Sequence, residues 1–122
     1  MNDTDILAEG AEYIAEHGHV KGKYFADDVL SPYGTPAACA MGAMAAANRN
    51  GNWETLENAK EKLAKQIKLD FPDFIKGSHT LAQERVGVLI DPHAVIAVWN
   101  DDPDRTAEEV ILTMKKAAHD GD

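Results

Sequence analysis

Three stretches of the sequence hold residue types that could do chemistry. Cys39 is the single cysteine, and five histidines are available to it. The amides at a helix start acidify a thiol, so Cys39 with His93 or another histidine would make a nucleophile and its base. His17-Gly18-His19 offers two imidazoles to a metal ion. Asn100, Asp101, Asp102 and Asp104 bring four oxygen-bearing side chains together, which is the composition of a calcium loop.

Spacing decides against each of these. A calcium loop starting at Asp102 would need a glycine at its sixth position and a glutamate at its twelfth, where Ala107 and Thr113 stand. A start at Asp101 puts Pro103 and Arg105 at ligand positions. The His17–His19 pair straddles an expected helix end and has no third ligand at a recognisable spacing. The stretch GHVKGKY, from Gly18 to Tyr24, is one residue short of a phosphate loop between its glycines, and Tyr24 replaces the hydroxyl residue that would hold magnesium. Cys39 lies between Ala38 and Ala40 in an alanine-rich stretch, where a lone cysteine packs as a small hydrophobe. No nucleophile elbow, dinucleotide fingerprint or H-E-x-x-H is present. No catalytic residue, metal ligand or cofactor is therefore assigned.

The acidic stretch reads instead as a corner between two helices. Asn100 and the aspartates tolerate a turn and bond nearby backbone, Pro103 cannot continue a helix, and Asp104 or Thr106 can satisfy the first amides of the next one. Arg105 can pair with Asp101 across the bend. Trp99 reads as core, and its indole N–H then needs a buried acceptor.

The elements around this corner follow from capping and period. Asp3 or Thr4 can cap a helix over residues 4–17, with Leu7, Ala11 and Ile14 on one face and Gly18 after its end. From His19 to Thr35 the helical period is lost, which predicts an irregular arm or short hairpin carrying Val20, Tyr24 and Phe25. Thr35-Pro36 is a cap followed by a first-turn proline, opening a small-residue helix that runs to Gly51. In it Cys39, Gly42, Ala43 and Ala46 share a stripe suited to the bundle centre. Asn52 can cap a third helix, with Leu56, Ala59, Leu63 and Ile67 inward and Lys60, Lys62, Lys65 and Lys68 in solvent, until Pro72 stops it. Glu57 with Lys60, and Glu61 with Lys65, have ion-pair spacing. Thr80 with Gln83 suggests a further helix, although Val86-Gly87-Val88 could be extended. Asp91-Pro92 opens the next one, and Thr106 with Glu109 forms a capping box for a last helix that ends at Gly121. The expected fold is mainly α: a compact single domain over residues 1–122, of five or six helices with an irregular arm near residues 19–35.

Composition bounds the function. Of the residues in the 44% hydrophobic content 19 are alanine, and only 7% of the chain is aromatic, so closely spaced helices are expected. The net charge of −9 comes from residues 1–30 and 99–122, while the stretch between them is balanced. Phosphate binding needs Lys and Arg to displace counterions, so this balance disfavours nucleic acid. A single cysteine excludes an intrachain disulfide and suits a reducing compartment. The chain begins with acid, and no apolar run approaches the roughly 20 residues a membrane span needs. A cytoplasmic protein with no membrane contact is expected.

CAMGAMAAA, from Cys39 to Ala47, and WNDDPDRTAEEVILTMKKAA, from Trp99 to Ala118, resemble a family of small actinobacterial and actinobacteriophage proteins known as a domain of unknown function. The resemblance brings no activity or catalytic residue, and implies a small intracellular accessory protein of a bacterium or its phage. The functional expectation is a non-enzymatic module that binds an unidentified protein partner or a second copy of itself. Its candidate surfaces are Tyr24 and Phe25 on the arm, with Trp99, Asn100, Asp101 and Arg105 at the corner. The alternatives are a small cysteine-dependent enzyme using Cys39, and an acidic DNA mimic whose two acidic ends share a face.

Overall fold

The computed structural model of the protein describes residues 2–21, 38–48, 51, 53–71 and 92–120. Among them are five helices: α1 (Asp3–His17), α2 (Ala40–Ala47), α3 (Trp53–Asp70), α4 (Pro92–Asp101) and α5 (Ala107–Asp120). The mainly α expectation holds. Tyr24, Phe25, Thr35, Pro36, Asn52, Pro72, Gly121 and the Thr80–Val88 stretch lie outside the described residues.

Helix α1 starts one residue earlier than the sequence suggests. Its cap is Asn2, not Asp3 or Thr4: the Asn2 side chain accepts from the Asp5 amide at 2.9 Å, and the Asp5 carboxylate accepts from the Asn2 amide at 3.2 Å. This reciprocal box satisfies two otherwise orphaned donors and releases Asp3 to pair with Lys62 of α3 at 3.0 Å. Gly18 ends the helix with φ 98°, a conformation that favours glycine. The inward face holds Ile6, Leu7, Gly10, Ala11 and Ile14.

Helix α2 departs further from expectation. It begins at Ala40, with Cys39 as its cap, and ends at Ala47 rather than running from Pro36 to Gly51. The physical reason lies across the chain. Ala38 forms a parallel bridge with His19, its amide donating to the Gly18 carbonyl at 3.1 Å and its carbonyl accepting from the Val20 amide at 3.2 Å. An extended Ala38 cannot also be helical, so pairing overrides local propensity. The buried set is broader than a stripe, taking in Ala40, Met41, Gly42, Ala43 and Met44.

Helix α3 buries Ala59, Leu63, Ala64 and Ile67, while Leu56 is half-buried. Lys60, expected in solvent, is buried along its stem and reaches the Glu57 carboxylate at 3.1 Å. Pro92 opens α4 at the first helical position, which needs no amide donor. The capping box before α5 forms as expected: Thr106 N donates to Glu109 Oε1 at 2.9 Å, and Glu109 N donates to Thr106 Oγ1 at 3.1 Å.

Helix α1 packs on α5 and α2, α3 packs on α4 and α5, and α2 closes against α4. Trp99, Ile6, Leu7, Ile14, Met44 and Leu63 are among the largest fully buried side chains. No helix of the described residues is long and apolar enough to cross a membrane.

Candidate functional site

Of the residues singled out by type, His19 and the acidic corner meet at the C-terminal end of α4, with Cys39 next to the Ala40 amide that bonds there. Asn100 is 1% exposed, and its amide makes all four hydrogen bonds that an amide group can make. The oxygen accepts from the Ala40 amide at 2.9 Å and meets His19 Nε2 at 2.7 Å. The nitrogen donates to the Val20 carbonyl at 3.1 Å and to Asp101 Oδ1 at 3.0 Å. Because Ala40 N–H can only donate and the Val20 carbonyl can only accept, the amide orientation is fixed. His19 is then the donor in this contact, through Nε2.

One side chain therefore ties α4 to the start of α2 and to the residues after α1. Lys21 adds a parallel tie, its ammonium donating to the Pro103 carbonyl at 3.0 Å.

The other half of the corner is a cation–aromatic stack. Arg105 Nε donates to the Trp99 carbonyl at 3.1 Å, and its guanidinium lies 4.3 Å from the Phe71 ring centre and 4.8 Å from that of Trp99. Phe71 and Trp99 meet edge to face at 5.6 Å. Among the described residues, the carboxylates facing the guanidinium are Glu109 at 3.5 Å and Asp102 at 3.8 Å. Asp102 also shapes the turn, accepting from the Asp104 amide at 2.9 Å through its side chain and from the Arg105 amide at 2.9 Å through its carbonyl. The corner reading of this stretch is what the backbone does.

Trp99, Asn100 and Arg105 thus turn inward, and only Asp101 of the four corner candidates is exposed. Trp99 is fully buried, as its core reading requires, yet its indole N–H finds no acceptor among the described residues.

Cys39 lies beside this joint as the cap of α2. Its sulfur accepts from the Gly42 amide at 3.3 Å. Burial pushes the thiol above its usual range, and the nearby Asp101 charge pushes the same way; hydrogen bonds from the first amides of α2 oppose them but do not prevail. A helix start that would otherwise activate a thiol is outweighed here by desolvation.

His17 leans against Tyr13 at 4.6 Å between ring centres, while His19 goes to Asn100, so the two imidazoles have separate structural partners. No group of three or more metal-ligating side chains occurs among the described residues.

Sequence reasoning missed the part played by His19, Val20 and Ala40. Their partner Asn100 lies 60 to 81 residues away, and no local period carries such a signal.

No curated protein and no solved structure matches the chain. A family of unknown function, DUF6197, matches residues 1–120, and the chain belongs to that family.

Proposed function

We propose that the protein is a small acidic accessory module that binds the basic surface of another protein through α1. The observation that carries this reading is a ridge of carboxylates. Asp5, Glu9, Glu12 and Glu16 recur at every third or fourth residue of α1, and all four are exposed.

Like charges at this spacing weaken a helix by a few tenths of a kcal/mol per pair. Only the ends of the ridge have local compensation, Asp5 in the capping box and Glu16 beside His17 at 3.7 Å. Glu9 and Glu12 make no ion pair among the described residues. A surface that concentrates one sign of charge raises the encounter rate with the opposite sign. Work inside a bacterial cell, or in one infected by a phage, fits such a module.

A DNA mimic needs the second acidic end to extend the same face. Among the described residues of that end, the exposed acids Asp101, Asp104 and Glu108 stop at the start of α5, and the exposed charged residues further along it are Lys115 and Lys116. This favours a protein-binding ridge over a duplex-shaped acidic surface.

A cysteine-dependent enzyme is the second reading. It is favoured by one observation, that Asn100 orients the His19 imidazole one residue along the chain pairing from Cys39. The raised thiol pKa and the neighbouring Asp101 oppose it.

Affinity capture of the tagged protein from a nuclease-treated host lysate tests the first reading. The wild type is run beside Glu9→Lys/Glu12→Lys and beside Tyr24→Ala/Phe25→Ala. A stoichiometric basic partner lost with the α1 variant supports the ridge. Capture of the same partner by that variant overturns it, and loss only with the Tyr24 and Phe25 variant moves the surface to the arm.

A further inference from the structure

Helix α3 carries a second charge pattern that the α1 reading does not use. Its exposed positions Glu54, Asn58, Glu61, Lys65 and Lys68 follow one another at alternating steps of four and three residues. Such steps keep side chains on one narrow stripe along a helix, the spacing of a helix–helix seam.

Along this stripe the sign changes once, from acid in the first half to base in the second. A large exposed apolar side chain stands near each end: Trp53 is 73% exposed and Leu69 is 66% exposed. The opposite face of α3 is occupied by α4, α5 and α1.

We propose that α3 is a self-association surface on which a second copy of this chain docks with its own α3 running antiparallel. A two-fold axis near Glu61 brings Glu54 of each copy within reach of Lys65 and Lys68 of the other, and the Trp53 end of each toward the Leu69 end of the other. Glu61 lies near the axis, about one turn from Lys65 of its own copy, while Lys62 is held by Asp3 within each chain. A parallel arrangement would set acid on acid and base on base, so the pattern selects one orientation.

The helix of 18 residues is about 27 Å long. One such helix face per copy buries less than the roughly 1,000 Å² expected of a stable interface, so the dimer is weak and depends on concentration. Paired carboxylates and ammonium groups in solvent are also weakened by salt.

The test is sedimentation velocity on the full chain, from micromolar to millimolar concentration, at low and high salt. The expected result is a mass that rises toward the dimer with concentration and falls back with salt, with association weakened about tenfold in Trp53→Ala. Two charge-reversed variants make the test specific, each checked for wild-type helicity by circular dichroism. Glu54→Lys/Glu61→Lys and Lys65→Glu/Lys68→Glu should each stay monomeric alone, and an equimolar mixture should regain the dimer mass, because each variant now complements only the other. A wild type that stays monomeric throughout overturns the proposal. So does a folded mixture that stays monomeric, or a variant that dimerises alone as the wild type does.

Discussion

Two regions hold the same bundle together by different physics. Around Gly10, helices α1, α2 and α5 meet through contact alone: a Cβ placed on Gly10 would lie 2.8 Å from Met114 Cε and 3.4 Å from the Met44 amide nitrogen. Around Asn100, the residues after α1, the cap of α2 and the end of α4 meet through a buried amide with every hydrogen bond made. The first region is defined by volume, the second by matching donors to acceptors. An apolar contact can relax when a neighbour shifts by a fraction of an ångström, particularly at a methionine tip. A buried hydrogen-bond donor that loses its acceptor has no such freedom.

The difference predicts an order of sensitivity to substitution. Asn100→Leu keeps similar bulk but leaves the Ala40 amide and the Val20 carbonyl without their partner, and is expected to destabilise the protein by about 4 kcal/mol. Urea unfolding followed by circular dichroism measures it; a loss as small as that of a surface substitution would mean that the amide is not the tie described here.

Gly10→Val comes next, at about 2 kcal/mol, because a branched side chain must push into Met114 and the α2 backbone. Gly10→Ala sharpens the contrast. Its methyl meets the flexible Met114 tip, while alanine gains up to about 1 kcal/mol in helix propensity over glycine, so the same unfolding curve should move little. If both substitutions cost as much as Asn100→Leu, the two regions do not differ in the way proposed.

The smallest effect is expected at Cys39, on the polar side. Its folded thiol pKa is raised by burial and then by the Asp101 charge. A raised folded pKa means that the thiol's contribution is fully present below the unfolded value, about 8.5, and is lost as pH rises through the folded value. Thermal melts from neutral to alkaline pH should therefore show a decline in the wild type that is shallower in Cys39→Ala. In native protein below that range the thiol should react with iodoacetamide far more slowly than in urea. Equal rates in the two conditions would instead expose the sulfur and revive the enzyme reading.

What was legible in the sequence was legible because its cause is local. Thr106 and Glu109 are three residues apart and bond to each other's amides, so the box that starts α5 could be read directly. Pro92 at the start of α4 and Gly18 after α1 are similar cases. Glu57 and Lys60 pair as their spacing suggested, although the burial of the Lys60 stem is set by neighbouring helices. The candidate site is legible only in part: Trp99 reads as core and is buried, whereas the inward orientation of Asn100 and Arg105 beside it does not show in the sequence. The Arg105 stack needs Phe71 from the end of α3, and the Asn100 amide needs groups on both sides of residues 22–37.

Local sequence was enough to place the five described helices, to mark where three of them start or stop, and to show that the chain's negative charge gathers toward its two ends. Those outcomes depend on side chains and amides within a few residues of one another. That α2 begins at Ala40, with Cys39 as its cap, came from folding, because Ala38 is held extended by His19 from elsewhere in the chain. Folding likewise turned Asn100 and Arg105 of a conspicuous polar corner inward and left Asp101 and Asp104 exposed. A buried amide can be satisfied only by the partners that folding brings to it.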